Sequence, residues 1–134
     1  LGPRFSPRGR RRGKVIVGAP TGERHALAVA IVADLIRAAG WEVVELGVDL
    51  PVDEFVTCVE KEAPVFAIAI SMATAGGVTA GRELIDSLRQ SVNVPVVVGG
   101  SPVDSTAADS LGADAWASDG RAALEALAAL VARS

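Results

Sequence analysis

What this sequence lacks narrows it quickly. It holds one cysteine, one histidine, one methionine and no tyrosine, and aromatic residues fill only 4% of its 134 positions. A single thiol, Cys58, forms no internal disulfide and has no partners at zinc-ligand spacing, so it reads as a small apolar helix residue. No apolar run reaches the roughly eighteen residues needed to cross a bilayer. The arginine-rich start also has no apolar stretch behind it of the kind a secretory signal carries. These absences exclude a disulfide scaffold and a helical membrane protein, and they set the cytoplasm as the expected compartment.

Charge is low overall, a formal −3, but unevenly spread. Arg4, Arg8, Arg10, Arg11, Arg12 and Lys14 all precede Val15, and the remainder carries seven basic against sixteen acidic side chains. An acidic body argues against nucleic-acid binding by the globular part, because phosphate contacts need clustered Lys and Arg. The leader around Pro3, Pro7 and Gly9 refuses regular structure, so residues 1–13 are expected to be a basic flexible linker. Residues 14–134 then form one domain, the usual yield of a chain this long.

What is present is an alternation of short β-branched runs with longer helical stretches. Strands are predicted at Lys14–Ala19, Glu42–Leu46, Phe66–Ile70, Val94–Val98 and Ala113–Ala117. Helices are predicted at about Ala26–Ala39, Pro51–Glu62, Thr79–Gln90 and Gly120–Ala132, with a short one before the last strand. In the first helix Leu27, Ile31 and Leu35 share one face and read as its core stripe, and Gly40 stands where a C-terminus wants positive φ. Strands alternating with helices, joined by right-handed crossovers, point to an open five-stranded parallel sheet with helices on both faces. That is an α/β, flavodoxin-like (Rossmann-like) architecture, with expected strand order 2-1-3-4-5.

Such a sheet binds ligands outside the carboxyl ends of its strands, where the strand order reverses. Three loops bound that crevice: Pro20-Thr21-Gly22-Glu23-Arg24-His25, Ser71-Met72-Ala73-Thr74-Ala75-Gly76-Gly77, and Gly99-Gly100-Ser101-Pro102. The lone histidine stands among them. Metal-bound histidine usually donates its second ring N–H to a carboxylate, and Glu23 is two residues away.

These loops resemble the cobalamin-binding domains of methionine synthase, base-off mutases, methyltransferase corrinoid proteins and light-sensing repressors. That family carries Asp-x-His-x-x-Gly, then Ser-x-Leu or Ser-x-Thr, then Gly-Gly. The counterparts here are Glu23-Arg24-His25-Ala26-Leu27-Ala28, Ser71-Met72-Ala73 and Gly99-Gly100. The likeness extends through Ala38–Val43 and Leu46–Pro51, so it covers nearly everything from Lys14 onward. It implies a base-off cobalamin (adenosylcobalamin, methylcobalamin or hydroxocobalamin) with His25 as the lower cobalt ligand. The displaced benzimidazole tail would enter a slot, with Ser71 hydrogen-bonding it and Gly76, Gly77, Gly99 and Gly100 allowing close backbone approach. Thr21, Gly22, Glu23, Arg24, Ala26, Ala73, Thr74 and Ser101 complete the candidate binding set. Glu in place of the usual Asp is associated with the regulatory and photosensory branch, so the resemblance implies a sensor module beneath an upstream helical cap or output module.

Other readings are weighed beside it. A corrinoid carrier of a methyltransferase or mutase system is the alternative, and a flavin sitting on the Thr21-Gly22 amides is a weaker one. Gly-x-Gly-x-x-Gly and Gly-Lys-Ser/Thr are both missing, which disfavours dinucleotides and triphosphates. Ser71 stands where a phosphorylated receiver domain would need an acid. No Ser-His-Asp or paired-carboxylate set surrounds His25, so the chain reads as a binding domain and not as an enzyme unaided. Each glycine could equally serve a turn, Ser71 a cap, and Trp41 and Trp116 packing.

Overall fold

In the computed structural model, residues 13–72, 75–100 and 111–133 are described, with side chains 75–78 left aside. Five strands, β1 (Lys14–Pro20), β2 (Glu42–Leu50), β3 (Ala67–Ser71), β4 (Val96–Gly99) and β5 (Ala115–Ala117), form one parallel sheet in the order β2-β1-β3-β4-β5. The helices are α1 (Ala26–Ala38), α2 (Val52–Glu62), α3 (Ala75–Ser91) and α4 (Gly120–Arg133). The flavodoxin-like order read from the sequence is the one observed.

Side-chain alternation along the central strands builds two unlike layers. On one face Ile16, Ile68, Ile70, Val96 and Val98 pack against Phe55, Cys58 and Val59 of α2 and Leu84, Ile85 and Leu88 of α3. On the other, Val15, Val17, Ala67, Ala69, Val97 and Ala117 meet Val29, Ala33 and Ile36 of α1 and Ala123, Leu127 and Leu130 of α4. The first layer is filled by branched residues. The second is floored largely by alanine and valine, and it borders a cavity.

The core stripe of α1 differs from the expected one. Val29, Ala33 and Ile36 are buried, whereas Leu27, Ile31 and Leu35 are 74%, 50% and 39% exposed. Both triplets satisfy the helical period because α1 is apolar almost all round. Against a sheet floored by small side chains, the Val-Ala-Ile face allows the closer approach. Leu35 still packs, since a Cβ added to Gly120 at the head of α4 would collide with its Cδ1.

Four boundaries also move. β2 continues past Leu46 to Leu50, because register shifts at Val17/Gly18 and Gly18/Pro20 let it keep pairing with β1 across Gly47 and Asp49, both at positive φ. Those residues read as a turn by local preference, and the ladder overrides them. α3 begins at Ala75, so Gly76 and Gly77 lie in its first turn and not in a preceding loop. β4 and β5 start two residues later than expected. The expected short helix before β5 falls in 101–110, outside the described residues.

Beneath the sheet, Asp114 ties β4 to α3: one carboxylate oxygen accepts from the Val96 N–H at 2.7 Å and from Arg89 Nη2 at 2.7 Å. Trp41 is buried with its ring 5.1 Å from that of Phe66, the packing role expected of it.

Candidate functional site

The β1–α1 loop is built by backbone contacts from the end of β2. Pro20 C=O accepts from Glu23 N–H at 3.0 Å, closing a turn around Gly22, whose φ of +90° suits a residue without Cβ. Thr21 Oγ1 donates to the Leu50 carbonyl at 3.2 Å. The Asp49 carboxylate accepts from Gly22 N–H at 2.8 Å and lies 3.6 Å from Arg24 Nε, while Asp49 N–H donates to the Glu23 carbonyl at 2.8 Å.

This loop ends on His25, the N-cap of α1. Its side chain makes no capping bond, so the ring is free to face outward, and it is 62% exposed. Nδ1 stands 3.6 Å from Oε2 of Glu23, a carboxylate that is 1% exposed and the one buried charged side chain among the described residues. That spacing is ion-pair range and beyond hydrogen-bond length. With Nδ1 turned to the carboxylate, Nε2 lies on the far side of the ring.

Ala28 lies one helical turn beyond His25 and begins the wall of a cavity of about 310 Å³ between α1 and α4. Ile31 and Val32 continue that wall, Ala117 to Gly120 and Ala123 face it, and Val17, Ala69 and Val97 form the floor. Ser71, Gly99 and Gly100 line its strand-end rim. The volume is at the lower end of the roughly 300–1,000 Å³ common for small-molecule pockets. The lining is mostly apolar, with Ser71, Ser118 and Asp119 as its polar side chains among the described residues. Asp119 is partly engaged in capping, accepting from Ala122 N–H at 2.8 Å.

The diglycine has a reason of its own within the fold. Met72 N–H donates to the Gly99 carbonyl at 2.8 Å. A Cβ on Gly99 would come 2.9 Å from the Ala117 carbonyl oxygen, and one on Gly100, whose φ is +132°, would overlap the Met72 carbonyl oxygen. The packing explanation for these glycines is therefore satisfied, and they border the cavity as well.

The structure thus brings Ser71, Gly99 and Gly100 to one rim and sets His25 on the helix that walls it. Thr21, Gly22, Glu23, Arg24 and Ala26 sit in or beside the loop that presents His25. Gly76 lies in the first turn of α3. Ala73, Thr74 and Ser101 fall outside the described residues. Sequence reading missed Asp49, whose place in a turn-like stretch was legible but whose contacts with a loop 27 residues away were not. It also missed Ile31 as a cavity residue, because its period matched a core stripe.

Residues 13–128 match the family model of the B12 binding domain. Dimethylamine corrinoid protein 1 of Methanosarcina acetivorans is 32% identical over 108 residues, 78% of this chain and 50% of that protein. Among solved structures, a cobalamin-binding protein from Desulfitobacterium hafniense superimposes with a TM-score of 0.82 at 25% identity, covering 90% of this chain and 60% of the other. The methanol:cobalamin methyltransferase complex of Methanosarcina barkeri gives 0.80 at 25% identity, covering 91% and 48%. The chain spans about half the length of the curated relatives it matches.

Proposed function

The chain belongs to the B12-binding domain family, and we propose that it serves as the cobalamin-carrying module of a methyltransferase system, with His25 as the lower cobalt ligand. Cobalamin is its cofactor. The residues present suit that group: an outward-facing imidazole backed by a buried carboxylate, beside an apolar cavity walled by small side chains. When bound, cobalamin supplies a cobalt centre that accepts and releases a methyl group.

The protein's own part is binding and orientation. Glu23 holds the His25 ring by its Nδ1 side and favours the tautomer that leaves Nε2 unprotonated. The cavity between α1 and α4 receives the displaced nucleotide tail, with the Ser71 hydroxyl at its rim available to hydrogen-bond the base. Ala28 adds one methyl to the wall where the family pattern has glycine.

A carrier reading is favoured over the light-responsive regulator that Glu23 suggests. The methylamine and methanol systems named by the similar proteins support it. The observation that carries the proposal is the His25–Glu23 pair standing at the head of the helix that walls the cavity.

Titration of the chain with hydroxocobalamin tests it. Wild type is expected to give a base-off, histidine-on absorption spectrum, and His25→Ala a different spectrum with weaker binding. Identical spectra would remove His25 from the cobalt. Methyl exchange between the loaded chain and a corrinoid methyltransferase supports the carrier role, whereas a light-driven change of oligomeric state without methyl exchange returns the regulator.

A further inference from the structure

The geometry points to Asp49 as a positioning residue for His25, a role that rests on the cobalamin reading above and deepens it. Three residues immediately precede the histidine, and Asp49 grips each of them. Its carboxylate accepts from Gly22 N–H at 2.8 Å, its own N–H donates to the Glu23 carbonyl at 2.8 Å, and its Oδ2 lies 3.6 Å from Arg24 Nε.

The backbone of Asp49 is unusual in a way that fits the task. Among the described residues it is the one non-glycine at positive φ, +54°. Aspartate and asparagine tolerate that region better than other side chains, but it costs free energy that surrounding contacts must offset. Two register shifts between β1 and β2 deliver it there, pairing Gly18 with Gly47 and Pro20 with Leu50. A regular ladder would carry Asp49 past the loop without turning it underneath.

The contacts are not equal. Arg24 is 80% exposed and its pairing with Asp49 is screened by solvent, so charge contributes little. The bond to Gly22 N–H is short and local to the turn that sets the direction of residues 23 to 25. An acceptor at position 49 is therefore what matters, and asparagine keeps both that acceptor and the tolerance of positive φ. Glycine keeps only the latter. The pair of substitutions separates the side chain's hold on the loop from backbone strain.

Asp49→Gly and Asp49→Asn are compared with wild type and His25→Ala in two measurements. In the unloaded chain, amide hydrogen exchange at Gly22–His25 is expected to quicken roughly tenfold in Asp49→Gly and to stay near wild type in Asp49→Asn, with the sheet amides unchanged. On titration with hydroxocobalamin, Asp49→Gly is expected to bind roughly 10-fold more weakly with a smaller histidine-on fraction, and Asp49→Asn to restore both. Unchanged exchange and an unchanged spectrum in Asp49→Gly would overturn the role. An Asp49→Asn chain as impaired as Asp49→Gly would overturn its assignment to the Gly22 bond. If wild type and His25→Ala share one spectrum, the ligation reading fails, and the exchange data on the unloaded chain still decide whether Asp49 holds the loop.

Discussion

Glu23 and His25 make an unequal pair: a carboxylate that is 1% exposed stands 3.6 Å behind an imidazole that is 62% exposed. The buried member cannot swing away, and the exposed member cannot turn its Nδ1 edge outward without leaving that carboxylate. In the proposed cobalamin reading that pairing would orient the ring before the ligand arrives and so lower the ordering cost of binding.

Replacing the carboxylate by its amide tests that orientation. Glu23→Gln preserves shape but removes the charge, and it is expected to weaken cobalamin binding roughly 10- to 100-fold. The chain should still fold, as followed by circular dichroism, while equilibrium titration reads the loss. Unchanged affinity would assign Glu23 to holding the loop alone.

The cavity makes a separate prediction at Ala28. Ala28→Leu extends three further carbons into a space of about 310 Å³. Overfilling a site costs about 1–3 kcal/mol, so cobalamin affinity is expected to drop roughly 10- to 100-fold. The melting temperature of the unloaded chain should hold or rise, because the added carbons enter a cavity and not packed core. A matching fall in stability would locate Ala28 in the core.

Gly100→Ala addresses the rim. With φ at +132° and the Met72 carbonyl oxygen in the way of any Cβ, the substitution is expected to cost about 1–3 kcal/mol or more in thermal or denaturant unfolding. Gly112→Ala is the comparison, since its positive φ carries the backbone strain but no atom lies within 4 Å of its added Cβ. Gly100→Ala should therefore be the more damaging of the two.

Cys58 supplies a pH signature. Burial, then the nearby Glu62, push its thiol above the ordinary 9.0, with Lys61 and Lys14 opposing. A raised value in the folded chain means that the unfolded chain ionises first. The thiol therefore leaves stability unchanged below its unfolded range, and stability falls as pH climbs from there toward the folded value. Melting curves from neutrality to pH ~10 should decline less steeply for Cys58→Ala than for wild type. Parallel declines would clear Cys58 of any part in it.

The sheet was legible in the sequence because β-branched runs such as Val15-Ile16-Val17 and Val96-Val97-Val98 leave little choice of structure, and Gly99-Gly100 ends the last run plainly. The helix facing it was less legible. Along α1 nearly every position is apolar, so periodicity could not choose between the stripe through Leu27 and the one through Val29. Only the small side chains on the sheet decide it. At the site, His25, Ser71 and the diglycine were readable as loop residues after strands. The clamp by Asp49 was not, because it depends on a register shift between strands whose residues are individually unremarked.

That same irregularity has a consequence for β2 as the outer strand of the sheet. Glu42, Glu45 and Asp49 punctuate it with negative charge, and the register slips opposite Gly18 and Pro20 break the regularity of its ladder. A second copy of the strand would find neither a straight row of amides nor a neutral surface on which to add. Irregular pairing and charge of this kind are among the devices by which outer strands disfavour edge-to-edge addition, so the slip that brings Asp49 to the loop bears on this border of the molecule as well.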